Sequence, residues 1–230
     1  MVHRYKESYT IALMCFFIVF LIIVPYKIIE AEDFNKIKAD LDDRDWNIRL
    51  AAVEKIGKLK NEETVNLLMQ VADEPGEYWP VKIKAIQLLG ETANPEAVTL
   101  LLLIFNDPFR NDECPSIKSY TAIALGNFRD EPKVVDTLIG GVDDRELLTR
   151  EASIQSLGKI GSPKAVSYLL QALKEENITI KLSAIKALEN IGDPQAIPHL
   201  KRIAETDSDP VVKSRAKTVL DNFRHIKEHN

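Results

Sequence analysis

The chain has 230 residues, 45% apolar and 28% charged, enough for an extensive core beneath a well-solvated surface. Beyond residue 31 it keeps 27 basic and 33 acidic side chains, a net of minus six, which excludes a nucleic-acid scaffold with its excess of bases along one face. Cys114 is the one cysteine of that part, so no intramolecular disulfide is available there, and a long helical core does not need one.

The first element in chain order is apolar. Residues 11 to 24 carry no charged side chain, and the apolar span from Tyr9 to Tyr26 is eighteen residues long. As a helix it measures about 27 Å, close to a hydrocarbon layer of about 30 Å. Tyr9 and Tyr26 are placed for the two interfaces, Lys27 for snorkelling, and Arg4 and Lys6 precede the run. Such a run is a signal anchor, a cleaved signal peptide or a packing helix. Small residues at the spacing a signal peptidase needs do not follow it, because Ile29 stands two places before Ala31, so the expectation is an uncleaved anchor. Bulky Met14 precedes Cys15 and the apolar run continues past it, which argues against lipidation. The expected organisation is a membrane anchor with a short juxtamembrane segment over 1–31 and one helical domain over 32–230. Arg4, Lys6 and the terminal amine favour export of that domain and Lys27, Lys36 and Lys38 weaken the bias, so the expectation is a single-pass membrane protein with an extracytoplasmic repeat domain.

From Asp45 onward a thirteen-residue phrase recurs six times, ending at Gly57, Gly90, Gly126, Gly158, Glu189 and Asp221, with steps of 33, 36, 32, 31 and 32 residues. Its first position is Asp45, Tyr78, Cys114, Glu146, Asn177 or Asp209, where Asp and Asn are good helix caps. A mainly β-branched residue (Ile48, Val81, Ile117, Thr149, Ile180, Val212) precedes an unbroken series of bases: Arg49, Lys82, Lys118, Arg150, Lys181 and Lys213. Three places beyond each base is a small residue (Ala52, Ala85, Thr121, Ser153, Ala184, Ala216), and four further on an Ile or Leu. That spacing puts the three apolar or small positions on one helical face, narrow enough in the middle for a neighbouring helix to approach closely. Glycines at the phrase end suit a left-handed turn, and four following turns contain Pro. A second apolar pattern then begins at Val65, Val98, Val135, Val166 and Ile197. With a helix before Asp42, about twelve helices in six antiparallel pairs are expected, and a period near thirty-two is that of a stacked helical solenoid.

The phrase Asp-Pro-x-Val-Arg-x-x-Ala-x-x-x-Leu-Gly, followed by x-Ile-Gly-x-Pro-x-Ala-Val, resembles the HEAT repeat, above all the short HEAT-like form of phycobilisome lyases. Asp209 to Lys213 and Leu157 to Val166 carry the likeness, which extends over roughly residues 35 to 225. It implies an all-α, right-handed superhelical solenoid with the phrase helices on the concave side. It implies no reaction, since the family is largely adaptors and scaffolds.

The candidate partner-binding residues follow from that frame. The residues one and five places after each base should build the concave stripe, among them Leu50, Glu54, Ile83, Gln87, Ile123, Gln155 and Lys186, a mixed surface suited to a protein partner. Trp46 and Trp79 share one position in adjacent copies, as interface anchors or as staples onto the preceding helix. The six bases are expected to bridge to acids at the neighbouring turn, coupling one repeat to the next, as the family does. The longer connection from Asp107 to Pro115 is a candidate binding rim.

Catalytic and cofactor chemistry finds no constellation. His199 stands alone, His225 and His229 are a pair without a third ligand, no His-Glu dipeptide occurs, and Gly140-Gly141 lacks the Lys and Ser or Thr of a nucleotide loop. The expected function is a non-catalytic, membrane-tethered scaffold that binds proteins through its concave face, without cofactor, metal or small-molecule substrate. The alternatives are a lyase-like enzyme subunit and a secreted binding domain.

Overall fold

The computed structural model describes residues 34–59, 61–111 and 114–228; the apolar span 9–26 lies outside them. Among the described residues no helix is long and apolar enough to cross a membrane. They fall into two compact units that meet in sequence at Ile56 and Gly57.

The first unit holds α1 over 34–41 and α2 over Trp46–Ile56. The turn between them is closed by Asp45, whose carboxylate accepts from the Asn47 amide at 2.9 Å, and by Arg49, which donates to the Asp43 carbonyl at 2.7 Å. Ala52, Val53 and Ile56 are fully buried, while Ile48, expected on the same face, is 39% exposed.

The second unit contains α3 (Glu62–Asp73), α4 (Trp79–Thr92), α5 (Glu96–Asn106), α6 (Pro108–Asn111), α7 (Ser116–Leu125) and α8 (Pro132–Gly141). It continues with α9 (Leu147–Ile160), α10 (Val166–Ala172), α11 (Ile178–Ile191), α12 (Ala196–Thr206) and α13 (Pro210–Glu228). The phrase helices α4, α7, α9, α11 and α13 pack each on the next. The second helices α3, α5, α8, α10 and α12 form the other layer, each against the phrase helix of its pair. The core is the seam between these layers. Val81, Ile117, Thr149, Ile180 and Val212 are wholly buried, as are Ala85, Thr121, Ser153, Ala184 and Ala216. Leu101, Leu138, Leu169 and Leu200 meet them from the second layer, also fully buried.

Twelve plain helices were expected, and two departures appear among the described residues. Asp107, whose carboxylate accepts from the Phe109 amide at 2.9 Å, starts a single extra turn, α6, inside the long connection. Pro163 starts Pro163–Ala165 as a 3-10 turn, which shortens α10 to seven residues.

The phrase glycines differ from expectation too. Gly90 and Gly158 lie within α4 and α9, without positive φ; the left-handed residues that close α4, α9 and α11 are Ala93 (φ 48°), Gly161 (φ 79°) and Gly192 (φ 73°). What Gly90 and Gly158 supply is approach. A Cβ on Gly90 would sit 2.7 Å from the Ala124 Cα, and one on Gly158 only 2.5 Å from the Ala187 Cα.

Candidate functional site

Three of the bases, Lys118, Arg150 and Lys181, couple one repeat to the next. The Lys118 ammonium donates to the Asp144 carboxylate at 2.5 Å and Lys181 to Asp207 at 2.7 Å, each reaching 26 residues ahead to the turn before the next phrase helix. Arg150 spans both ways: it donates to the Asp144 carbonyl at 2.8 Å and lies 3.6 Å from Glu175. Asp144, Glu175 and Asp207 share one position, six residues before the next base. Burial acts to raise the Asp207 carboxyl, but the Lys181 hydrogen bond, the Asp209 amide and the charges of Lys181 and Lys213 outweigh it and hold the group below its ordinary range.

With these three bases turned to that task, the outward face of the phrase helices is left to other positions. Five places after each base the chain comes to the surface: Ile123 is 46% exposed, Gln155, Lys186 and Thr218 are exposed, and Gln87 is half-buried. Neighbouring phrase helices pack side by side, so these five residues form one row. Of the positions one place after the base in this unit, only Ser214 is exposed. Ile83 and Ser119 are 6% exposed, which corrects the expectation for Ile83: its side chain belongs to the packing between helices. Leu182 and Glu151 are half-buried beside the row. In the first unit Leu50 is half-buried and Glu54 exposed.

Sequence reasoning missed the continuation of the row. Four places beyond it, one helical turn on, stand Asn127, Lys159, Asn190 and Asn222. The Lys159 ammonium donates to the Asn127 side-chain oxygen at 2.5 Å, tying α9 to the turn that leaves α7. Glu189 accepts from Lys186 at 3.0 Å, from Arg215 at 2.5 Å and from the Asn222 side-chain Nδ2 at 2.7 Å. Burial opposes ionisation of Glu189, but those hydrogen bonds and the two cations prevail and keep its carboxyl below the usual value. The signal was available in the same +4 spacing that placed the row.

Trp46 and Trp79 are 37% and 42% exposed, each at the first turn of its helix, and the Tyr78 ring lies 5.7 Å from that of Trp79 at a tilt of 51°. In the long connection, Arg110 pairs with Asp73 and with Asp107, and Phe109 is 83% exposed. A cavity of about 270 Å³ opens there, lined by Lys82, Ile104, Phe109 and Arg110. A wider cleft of about 550 Å³ is lined by Gly57, Asn61, Glu62, Leu88, Glu91 and Glu96. No three of His, Cys, Asp and Glu converge on a metal-sized site among the described residues, where His199 is half-buried on α12.

The model of HEAT repeats matches residues 35–110, 108–181 and 163–221. The chain belongs to the HEAT-repeat family. Its HEAT fold is similar to that of the CpcE–CpcF complex of phycocyanin lyase from Nostoc sp. PCC7120, at 21% identity and a TM-score of 0.56, with 80% of this chain and 74% of that one covered. An archaeal HEAT-like repeat protein from Thermococcus onnurineus NA1 matches at 17% identity and a TM-score of 0.51, over 88% and 91%. A designed armadillo repeat protein in complex with a (KR)4 peptide matches at 14% identity and a TM-score of 0.58, over 82% and 98%. At these identities the HEAT likeness is one of fold. No curated protein matches the sequence.

Proposed function

We propose that this HEAT-repeat chain is a non-catalytic scaffold that seats a protein partner on the outward row of its phrase helices, the side that the family's superhelix makes concave. One observation carries the reading: Gln87, Ile123, Gln155, Lys186 and Thr218 come from five consecutive packed helices and form a mixed apolar and polar strip without a dominant charge. The designed armadillo protein, in complex with a peptide, is an example of such a fold holding a polypeptide. Residues 9–26 supply a tether of bilayer length, and the bases before them favour a repeat domain on the extracytoplasmic side. The likeness to the phycocyanin lyase subunits supports the fold alone and adds no reason to assign lyase chemistry.

The test is site-specific photo-crosslinking of the full-length protein in its native membranes. A crosslinker at Ile123 should yield a discrete protein adduct, and one at Tyr168, 40% exposed on the second layer, should not. Adducts from Tyr168 alone, or from neither position, would remove the groove reading. The tethered chain should stay in carbonate-washed membranes, and release as a shortened soluble product would remove the anchor.

A further inference from the structure

The second unit has two edges formed by turns, and they differ chemically. The turns entering α4, α9, α11 and α13 (74–78, 142–146, 173–177 and 207–209) contain nine acids and two bases. The turns leaving α4, α7, α9 and α11 (93–95, 126–131, 161–165 and 192–195) contain three acids and two bases. Coupling to half-buried bases accounts for Asp144, Glu175 and Asp207, and capping accounts for Asp209, which accepts from the amides of Val211 and Val212 at 2.8 and 3.1 Å. Glu74, Asp143, Glu146 and Glu176 are left exposed on the same edge.

Large apolar side chains are exposed on that edge as well. Trp79 is 42% exposed, Leu147 38%, Leu148 58%, Ile178 45% and Val211 59%, all within the first two residues of a phrase helix. Helix propensity does not ask for them: the same positions elsewhere are Pro115, Ser116, Thr179 and Pro210. Because α4, α7, α9, α11 and α13 stack side by side, their first turns form a row, and exposed apolar groups stand on it at α4, α9, α11 and α13, with Pro115 and Ser116 at α7.

We propose that this edge is a second docking surface, distinct from the outward row, and that its occupant is a basic amphipathic helix of another protein. The acidic excess selects cationic flanks and disfavours an anionic lipid surface. The spacing selects a helix. Packed helices stand about 8–10 Å apart, and seven residues of helix advance about 10.5 Å, so a helix laid along the edge brings an apolar residue to each phrase helix at every seventh position. Four such steps, from α4 to α13, correspond to about 28 residues. Trp79 and the Leu147–Leu148 pair serve as the anchors, in the manner of helix-in-groove recognition.

The experiment uses full-length protein in non-ionic detergent and two fluorescent 28-residue peptides, one with Leu in a heptad stripe and Lys elsewhere, the other with Glu for Lys. Anisotropy should show the Lys peptide binding, weakening as salt is raised, and the Glu peptide binding at least tenfold less well. Leu148→Ser with Ile178→Ser and Val211→Ser, and separately Asp143→Lys with Glu146→Lys and Glu176→Lys, should each weaken the Lys peptide at least tenfold with unchanged circular dichroism. Should the triple serine variant lose helicity, Leu148→Ser alone is read in its place, with at least a threefold loss expected. Ile123→Asp, in the outward row, should leave this binding unchanged, so failure here and failure of the proposed groove are separable. Equal binding of both peptides, indifference to the edge variants, or loss through Ile123→Asp would overturn the proposal. So would serine-sensitive binding to phosphatidylcholine vesicles, or serine-sensitive self-association of the chain in sedimentation.

Discussion

Thr149 and Ser153 place two hydroxyls on the buried face of α9, and neither oxygen has a hydrogen-bond partner. The other repeats put Ile or Val at the first position and mostly Ala at the second. A buried hydroxyl without a partner costs about 1–3 kcal/mol in lost hydration. Ser153→Ala should therefore raise the urea midpoint, by about 1 kcal/mol of stability at unchanged slope; a lowered midpoint would mean that the hydroxyl has a partner in solution. At this scale the buried face was legible in the sequence, because β-branched, small and leucine positions repeat at helical spacing. Ile83 was not, since one place after a base falls at the margin of the face and neighbouring helices decide its burial. The partners of the bases were legible only as a kind, because Asp144 and Asp207 lie 26 residues from Lys118 and Lys181 and spacing within one helix does not reach them.

Among the elements, the phrase glycines show how one residue type serves two ends. Gly161 and Gly192 close α9 and α11 in the left-handed region, with amides donating to the Leu157 and Leu188 carbonyls, the expected capping role one turn later than the phrase end. Gly90 and Gly158 instead sit where the next phrase helix passes at backbone contact. A glycine near the end of an apolar pattern reads as a terminator, and only the neighbouring helix shows it to be a site of approach. Gly158→Ala separates the roles. Helix propensity alone would stabilise the variant by about 1 kcal/mol, whereas a methyl 2.5 Å from the Ala187 Cα forces α9 and α11 apart. Overpacking of this kind costs about 1–3 kcal/mol, so the variant should melt earlier than wild type, and an unchanged or higher melting temperature would refute the close approach. α6 and the 3-10 start of α10 were likewise hidden, since a Pro after Asp or Ser marks a turn without saying how many residues it winds.

For the molecule as a whole, each pair of the second unit contacts mainly its neighbours, so its stability is the sum of pair and interface contributions. Charged groups are part of that sum at the C-terminal end. Asp207 ties α11 to the turn before α13, and Glu189 ties α11 to α13 itself through Arg215 and Asn222. Both carboxyls are held below their ordinary values, 3.8 for Asp207 and 4.5 for Glu189. In the unfolded chain they bind protons more readily than in the folded one, so their contribution is fully present above those values and is lost as pH falls through the depressed folded ones. Hydrogen bonds to a charged group contribute about 1.5–3 kcal/mol. Asp207→Asn should cost a value in that range at pH 7, measured by urea denaturation. The gap between the variant and wild type should then narrow as pH falls below 3.8, because the wild-type carboxyl becomes a neutral group like the amide. A gap that stays constant down the acid limb would show that Asp207 acts by shape and packing, and that the links between these repeats owe nothing to charge.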